Sequence, residues 1–130
     1  MRKSAIQRKR PLPRQRKPIA RKARVPSRNA KRAAAAFQRA YGGGARVQWV
    51  KSLPCCVTSV MGCRGAIENV HTASGGTGRK ADARTVVPMC QKHHQLLHTF
   101  GAETFQEVFY VNLAKQAEKV EELWQCKESA

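Results

Sequence analysis

Cys90-Gln-Lys-His-His-Gln-Leu-Leu-His98 is the stretch from which the fold and the chemistry of this chain can best be inferred. It holds three of the four histidines and one of the five cysteines in the chain. On a helix, residues three or four positions apart share a face. Cys90 and His93 would then face one metal ion, and His94 and His98 another. The stretch therefore predicts a helix that carries ligands for two ions.

Two short strands joined by a glycine-rich loop are predicted upstream of this helix. The first strand ends near Val70 and His71, the fourth histidine of the chain. The second is the β-branched run Thr85-Val-Val-Pro-Met89, and residues 72–83 between them contain three glycines. The chain is therefore expected to be α+β, with a strand, strand, helix order at its centre.

Helices are also predicted on both sides of this central unit. Strong helix formers at residues 30–41 end at three consecutive glycines, and residues 45–53 form a second short helix that ends at Pro54. After Gly101 a longer helical region carries one apolar stripe. Its members are Phe105, Phe109, Leu113, Ala117, Val120 and Trp124. This stripe is interpreted as core packing.

Positive charge is concentrated at the N-terminus. Residues 1–51 carry 17 of the 25 Lys and Arg and no acidic residue, whereas residues 52–130 carry eight basic and eight acidic side chains. A proline-containing block of like charge repels itself and buries little apolar surface, so residues 1–44 are predicted to be a largely disordered basic arm with a short helix near 30–41. The folded domain is then residues 45–130.

Nucleic acid is the favoured partner of this arm, because Lys and Arg that neutralise phosphates release condensed counterions. An anionic membrane surface is disfavoured, since no apolar face accompanies the basic residues, and a merely solvated tail is the bland alternative. Phosphate contacts imply no sequence specificity. The residues predicted to contact DNA in the arm are Arg2, Lys3, Arg8, Lys9, Arg10, Arg14, Arg16, Lys17, Arg21, Lys22 and Arg24.

The size of the folded part and its cysteines favour a structural metal. A domain of this length has a thin core, which a metal ion commonly supplements. No signal peptide is predicted, and no apolar run approaches the roughly 20 residues of a membrane span. We therefore expect a soluble, cytoplasmic protein with no membrane partner, whose reduced thiols bind metal rather than form disulfides.

Cys90, His93 and two cysteines of the turn at residues 55–63 would form a Cys₃His site suited to Zn²⁺. Cys63 is one of these two. Cys55 and Cys56 compete for the remaining position, and the local pattern Leu-Pro-Cys favours Cys55. Cys126 is expected to be an ordinary free thiol.

The run Val70-His-Thr-Ala-Ser-Gly-Gly-Thr-Gly-Arg-Lys-Ala-Asp82, followed by Val86-Val-Pro-Met-Cys-Gln-Lys-His-His-Gln-Leu-Leu-His98, resembles the HNH endonucleases. It is most similar to the small phage-encoded group that includes the Ref-type, recombinase-dependent nucleases. The resemblance covers residues 49–124 approximately. It implies a small ββα-metal nuclease domain with a structural zinc and a C-terminal helical region, preceded by the basic arm. It also implies DNA as substrate, a role in DNA recombination, a RecA-type recombinase filament as partner, and the cytosol of a bacterial host.

The resemblance assigns a role to each remaining histidine. His71 matches the general base that takes a proton from the attacking water, a task suited to an imidazole. His94 and His98 match ligands of the catalytic ion, which would be Mg²⁺ or Mn²⁺, although Zn²⁺ would also suit these donors. Arg79 and Lys80 would clamp a neighbouring phosphate of the DNA backbone.

Two positions depart from the family pattern. Val70 stands where many members have a metal ligand, and Thr85 stands where the family has its Asn. The catalytic ion then has two clear protein ligands, and Asp82, Glu68 or His71 itself could complete the site.

Three other functions remain open from the sequence. The first is a non-catalytic, zinc-stapled DNA-binding protein, the second an HNH nuclease that assists phage DNA packaging, and the third a basic ribosomal-type RNA-binding protein. The histidines at positions 71, 94 and 98 exceed what a structural zinc requires, and this excess favours an enzyme.

Overall fold

The computed structural model describes residues 29–57 and 62–130. The arm residues from Arg2 to Arg24 that were predicted to contact DNA lie outside these ranges. Within them, the fold contains five α-helices and one two-stranded antiparallel sheet. The elements are α1 (Ala30–Tyr41), α2 (Gly44–Ser52), β1 (Ile67–His71), β2 (Val86–Cys90), α3 (Gln91–Phe100), α4 (Ala102–Phe109) and α5 (Leu113–Glu128). None of the described helices is long and apolar enough to cross a bilayer.

The centre of the fold is a ββα unit, as the sequence predicts. β1 and β2 pair in antiparallel register, with Ile67 opposite Cys90 and His71 opposite Val86. Cys90 is both the last residue of β2 and the N-cap of α3, so the helix begins directly at the end of the strand. This register places His71 and Cys90 at opposite ends of the sheet.

The start of α3 is fastened to the segment that precedes β1. The backbone N–H of Gln91 donates to the carbonyl of Ala66 at 3.1 Å, and that of Lys92 donates to the carbonyl of Arg64 at 3.1 Å. These amides belong to the first helical turn, where no partner exists within the helix. The same contacts bring Cys63 close to the N-terminus of α3.

The core lies between the sheet and the C-terminal helices. Every residue of β2 is buried, because the strand is covered on both faces, which matches its continuous apolar sequence. The predicted apolar stripe is confirmed as core, since all six of its residues are buried. The helical region predicted after Gly101 consists of two helices, separated at Tyr110. Tyr110 ends α4 in a left-handed conformation with φ 51°, and the side chain of Asn112 caps α5 by accepting from the N–H of Lys115.

A buried arginine joins α2 to α5, which the sequence pattern did not indicate. Arg46 is 4% exposed. Its guanidinium lies 2.6 Å from Glu121 and donates to the carbonyl of Ala83 at 3.1 Å. It also lies 5.9 Å from the ring centre of Trp124. A charge this deep in the protein is tolerated only when it is paired and hydrogen-bonded, and Glu121 supplies the opposite charge.

Candidate functional site

The structure brings together four of the residues predicted to bind metal. Cys55 and Cys63 stand on either side of residues 58–61, Cys90 ends β2, and His93 lies in the first turn of α3. One donor atom from each lies within 4.8 Å of the other three. Cys90 and His93 are fully buried, and Cys63 lies at the surface. This cluster could hold a metal ion that joins the turn, the sheet and the helix.

The spacing of these donors suits a tetrahedral ion. The Nδ1 atom of His93 lies 3.5 Å from the Sγ of Cys55, 3.8 Å from that of Cys63 and 3.2 Å from that of Cys90. Zinc bonds of about 2.3 Å to sulfur and about 2.05 Å to nitrogen, at tetrahedral angles, separate S and N by about 3.5 Å. The observed distances lie around this value, so one ion can reach all four donors without rearrangement of the backbone.

The electrostatics of the thiols also favour a cation. Hydrogen bonding from Cys56, helped by the backbone of Cys90, lowers the pKa of Cys55 to about 4 despite its partial burial. Loss of solvent and the adjacent Cys55 raise the pKa of Cys63 to about 11. The thiolate at Cys55 therefore opposes ionisation of the Cys63 thiol. A divalent cation would relieve this repulsion by binding both sulfurs.

Cys56 and Cys126 lie outside the group of four. The backbone N–H of Cys56 donates to the carbonyl of Pro88 at 2.8 Å, which holds this turn against β2. Its hydrogen bond to Cys55, together with burial, raises the pKa of the Cys56 thiol. Of the two competing cysteines, Cys55 thus belongs to the group of four possible metal ligands, and Cys56 lies beside this group. Cys126 is an exposed thiol on α5.

A second group on the same ββα unit contains His94, His98 and Glu68. The Nε2 atoms of the two histidines lie 3.0 Å apart, and the Nδ1 of His94 lies 2.6 Å from a carboxylate oxygen of Glu68 on β1. The hydrogen bond to His94 lowers the pKa of Glu68, so this carboxylate is ionised and accepts a hydrogen bond from Nδ1–H of His94. The Nε2 of His94 is then the ring nitrogen that is not engaged with Glu68, and it faces His98.

This arrangement resembles a two-nitrogen metal clamp with an outer carboxylate. Two nitrogens bound at about 2.1 Å and at a right angle to each other on one octahedral ion lie about 3 Å apart. A carboxylate that holds the far nitrogen of a ligating imidazole fixes its orientation and increases its basicity. Glu68 contacts Nδ1 of His94, so it would support a metal-binding His94 from outside instead of completing the ligand set as a third donor.

His71 lies at the end of β1, and its proton can be assigned from its neighbours. The Oγ1 of Thr85 donates to the carbonyl of Asp82 at 2.7 Å, so the hydroxyl proton is already used. The Nδ1 of His71 lies 3.0 Å from the Thr85 hydroxyl oxygen and must then donate a hydrogen bond to that oxygen. The free lone pair of His71 is on Nε2. Thr85 thus orients the imidazole.

The Nε2 atom of His71 is buried, and no described residue accepts or donates a hydrogen bond there. Burial lowers the pKa of His71, and the positive charge of Lys80 lowers it further, while Asp82 acts in the opposite direction. The imidazole is therefore neutral near pH 7, which is the form that can accept a proton.

Tyr41, which the sequence analysis did not select, covers this histidine. Its ring centre lies 5.1 Å from that of His71, and its hydroxyl accepts a hydrogen bond from the ammonium of Lys80. The only sequence signal for Tyr41 is its position at the end of α1, directly before three glycines. Of the two cations predicted to clamp phosphate, Lys80 thus lies beside the histidine, and Arg79 is exposed in the same loop.

Comparison of the chain with protein-family models, with curated proteins and with solved structures gives no match.

Proposed function

We propose that this protein is a metal-dependent HNH-type endonuclease that hydrolyses phosphodiester bonds of DNA and is stabilised by a structural zinc. The observation that carries the proposal is the ββα unit itself. It presents a neutral, oriented histidine at the end of β1 and a histidine pair with adjacent Nε2 atoms on α3. A zinc site alone would use neither group.

His71 acts as the general base in this proposal. A water molecule attacks the phosphorus, its O–H bond breaks, and the proton moves to the Nε2 lone pair of His71. The bond from phosphorus to the 3′ oxygen breaks, and that oxygen takes a proton from solvent, so that the products are a 5′ phosphate and a 3′ hydroxyl. Thr85 holds the imidazole in the required tautomer by accepting from Nδ1.

His94 and His98 would hold the catalytic Mg²⁺ or Mn²⁺, with Glu68 orienting His94. When bound, this ion supplies Lewis-acid stabilisation of the charge on the phosphate and on the leaving oxygen. The remaining coordination positions are left for water and phosphate oxygens, as is usual for Mg²⁺.

Zn²⁺ is the ion proposed for the cluster of Cys55, Cys63, Cys90 and His93. Four N and S donors at tetrahedral spacing form a closed site of the structural type, with no position left for substrate. Binding energy at such a site contributes directly to folding. The site would fix the start of α3, and therefore the positions of His94, which directly follows His93, and of His98, one turn after His94.

DNA is the proposed substrate because the basic side chains suit a polyanion. The first 51 residues carry all of the excess positive charge, and Lys80 adds a cation at His71. By resemblance, we propose a phage-encoded nuclease that acts in recombination with a RecA-type filament, in the cytoplasm of the host. A role in phage DNA packaging is the alternative within the same family.

The test is cleavage of supercoiled plasmid and of single-stranded DNA by the purified protein with Mg²⁺ or Mn²⁺. Each reaction is run with and without a RecA-type filament, and beside a His71→Ala variant. We expect cleavage by the wild type and its loss in the variant, with zinc content and DNA binding retained. Stimulation by the filament would support the Ref-type role.

Absence of cleavage under every condition, with salt-sensitive DNA binding intact, would contradict the enzyme. The protein would then be the zinc-stabilised DNA-binding module. The observation that favours this second function is the burial of the His71 Nε2 atom, which water must reach if the histidine is to act as a base.

A further inference from the structure

His71 is closed off by two side chains that come from different parts of the chain. Tyr41, the last residue of α1, lies against the imidazole with the ring planes inclined by 47°. Lys80, from the loop between the strands, donates to the Tyr41 hydroxyl and lies 4.7 Å from the centre of its ring. The Nε2 nitrogen assigned as the base is buried in this arrangement.

The backbone next to each covering side chain is constrained. Tyr41 precedes two glycines with positive φ, and Lys80 pairs with Ser74. Gly42 and Gly43, directly after Tyr41, adopt φ values of 72° and 96°, which side chains other than glycine rarely tolerate. Apart from Ala40, no residue of α1 is buried. Lys80 pairs with Ser74 across the loop, and a Cβ at Gly75 would overlap the Lys80 carbonyl. The loop fixes the backbone of Lys80, and its long side chain can exchange partners.

The bond between Lys80 and Tyr41 is one that a phosphate can replace. An ammonium is a compact charge with three donors, and it binds an anionic oxygen more strongly than a neutral phenol. Near this pair, Asp82 is the acid that influences His71, and it is engaged as the cap of the turn at Ala83–Thr85. The ammonium is therefore available to an incoming phosphodiester.

We propose that Tyr41 is a positioning residue of the nuclease site, whose ring covers His71 and whose hydroxyl holds Lys80 until a phosphate of the DNA backbone takes the ammonium. Transfer of Lys80 to the phosphate removes the tether on Tyr41 and opens Nε2 to water. The base is thus uncovered only when a substrate phosphate lies beside it. This inference rests on the proposed function, but both of its tests are read without cleavage.

The first test measures access to His71 in the full chain, without DNA and without added Mg²⁺ or Mn²⁺. Diethyl pyrocarbonate acylates accessible imidazoles, and peptide mass spectrometry gives the rate at each histidine. His98, which is exposed, is the internal reference. Tyr41→Phe should raise the rate at His71 several-fold and Tyr41→Ala should raise it further, with His98 unchanged. An unchanged rate at His71 in both variants would overturn the cover.

The second test is a double-variant cycle on the affinity for a short DNA duplex, under the same conditions that prevent cleavage. Tyr41→Phe removes a hydrogen bond that DNA must otherwise break, so binding should tighten roughly two- to tenfold, the usual range for one such bond. Lys80→Ala should weaken binding, and the double variant should bind like Lys80→Ala alone. Weaker binding by Tyr41→Phe, or additive effects, would contradict competition for Lys80.

Tyr110→Phe is the matched control, because Tyr110 is 97% exposed in the turn between α4 and α5. It should change neither reading. Zinc content and melting temperature establish that each variant is folded. If the wild type fails to cleave DNA while both tests give the expected results, the nuclease proposal fails and the phosphate-controlled cover stands. If cleavage is normal and both tests fail, only the cover is rejected.

Discussion

Replacing Cys55 with serine should remove the structural zinc, whereas replacing its neighbour Cys56 should not. The two residues are adjacent and both partly buried, but only the sulfur of Cys55 lies within 4.8 Å of the donors of Cys63, Cys90 and His93. Cys56 instead donates a hydrogen bond to Cys55, which a serine hydroxyl can also make. Comparison of Cys55→Ser with Cys56→Ser therefore distinguishes the proposed metal ligand from the cysteine next to it.

The magnitude follows from the linkage between binding and folding. Mutation of a residue that only hydrogen-bonds to a metal ligand weakens metal binding by up to roughly 100-fold. Loss of a direct ligand should weaken it at least as much. At a zinc concentration about 100 times the wild-type Kd, a 100-fold weaker site is about half occupied, and the free energy of unfolding falls by about 2.3 kcal/mol. For a domain of this size each kcal/mol corresponds to about 4–8 °C. The melting temperature of Cys55→Ser should thus fall by about 10–20 °C.

The assay combines zinc content by mass spectrometry of the metal with thermal unfolding followed by circular dichroism. We expect one zinc per chain in the wild type and in Cys56→Ser, and substantially less than one in Cys55→Ser. Cys126→Ser provides an exposed control far along the sequence. Retention of zinc and of the melting temperature in Cys55→Ser, or their loss in Cys56→Ser, would refute the assignment of ligands.

Three further predictions concern the histidine sites and the core. Burial and Lys80 lower the pKa of His71, so kcat/KM for cleavage should rise with pH, reach half of its maximum below about pH 6.5 and stay level to pH 8. In Lys80→Ala the half-maximum should move to higher pH, because the positive charge that lowers the pKa is gone. An unchanged half-maximum would contradict this effect of Lys80. Glu68→Gln should weaken Mn²⁺ binding at the histidine pair about 10- to 100-fold in a titration followed by electron paramagnetic resonance, with zinc content unchanged; equal affinity would exclude the supporting role. Arg46→Ala leaves Glu121 without its charge partner and should lower the free energy of unfolding in urea by about 3–5 kcal/mol, while a loss below about 1 kcal/mol would show that the pair adds little.

The ββα unit and the metal cluster could be predicted because their signals are local in sequence. A β-branched run followed at once by a helical pattern fixes the order of β2 and α3, and the spacing of Cys90 and His93 places both at the start of α3. The apolar stripe likewise reports a helical face. The choice of Cys55 over Cys56 rested on a weaker local pattern, and the structure places Cys55 at the cluster.

Features that depend on pairs of distant residues were not predictable in the same way. Arg46 can be buried because Glu121, on the last helix, forms an ion pair with it. Glu68 was one of three possible third ligands, and its contact with the far nitrogen of His94 required the packing of α3 on β1. No periodicity relates Tyr41 to His71 or Lys80.

The break in the C-terminal helical region shows a different limit. The apolar stripe continues across residues 105–124 without interruption, and Gly or Pro does not mark the turn. Tyr110 adopts the left-handed conformation that glycine usually supplies at a helix end. A side chain at this position costs free energy relative to glycine. The stripe therefore predicted burial correctly but gave no indication of the boundary between α4 and α5.

Chemical rescue of His71→Gly tests the assignment of the general base most directly. The variant removes the imidazole that would accept the proton, and added imidazole can occupy the space that it leaves. We expect the variant, with its zinc and its DNA binding retained, to lose cleavage by about 10²- to 10⁴-fold and to regain activity in proportion to the neutral imidazole added. Wild-type cleavage rates in His71→Gly, with no response to imidazole, would contradict the central role of this histidine.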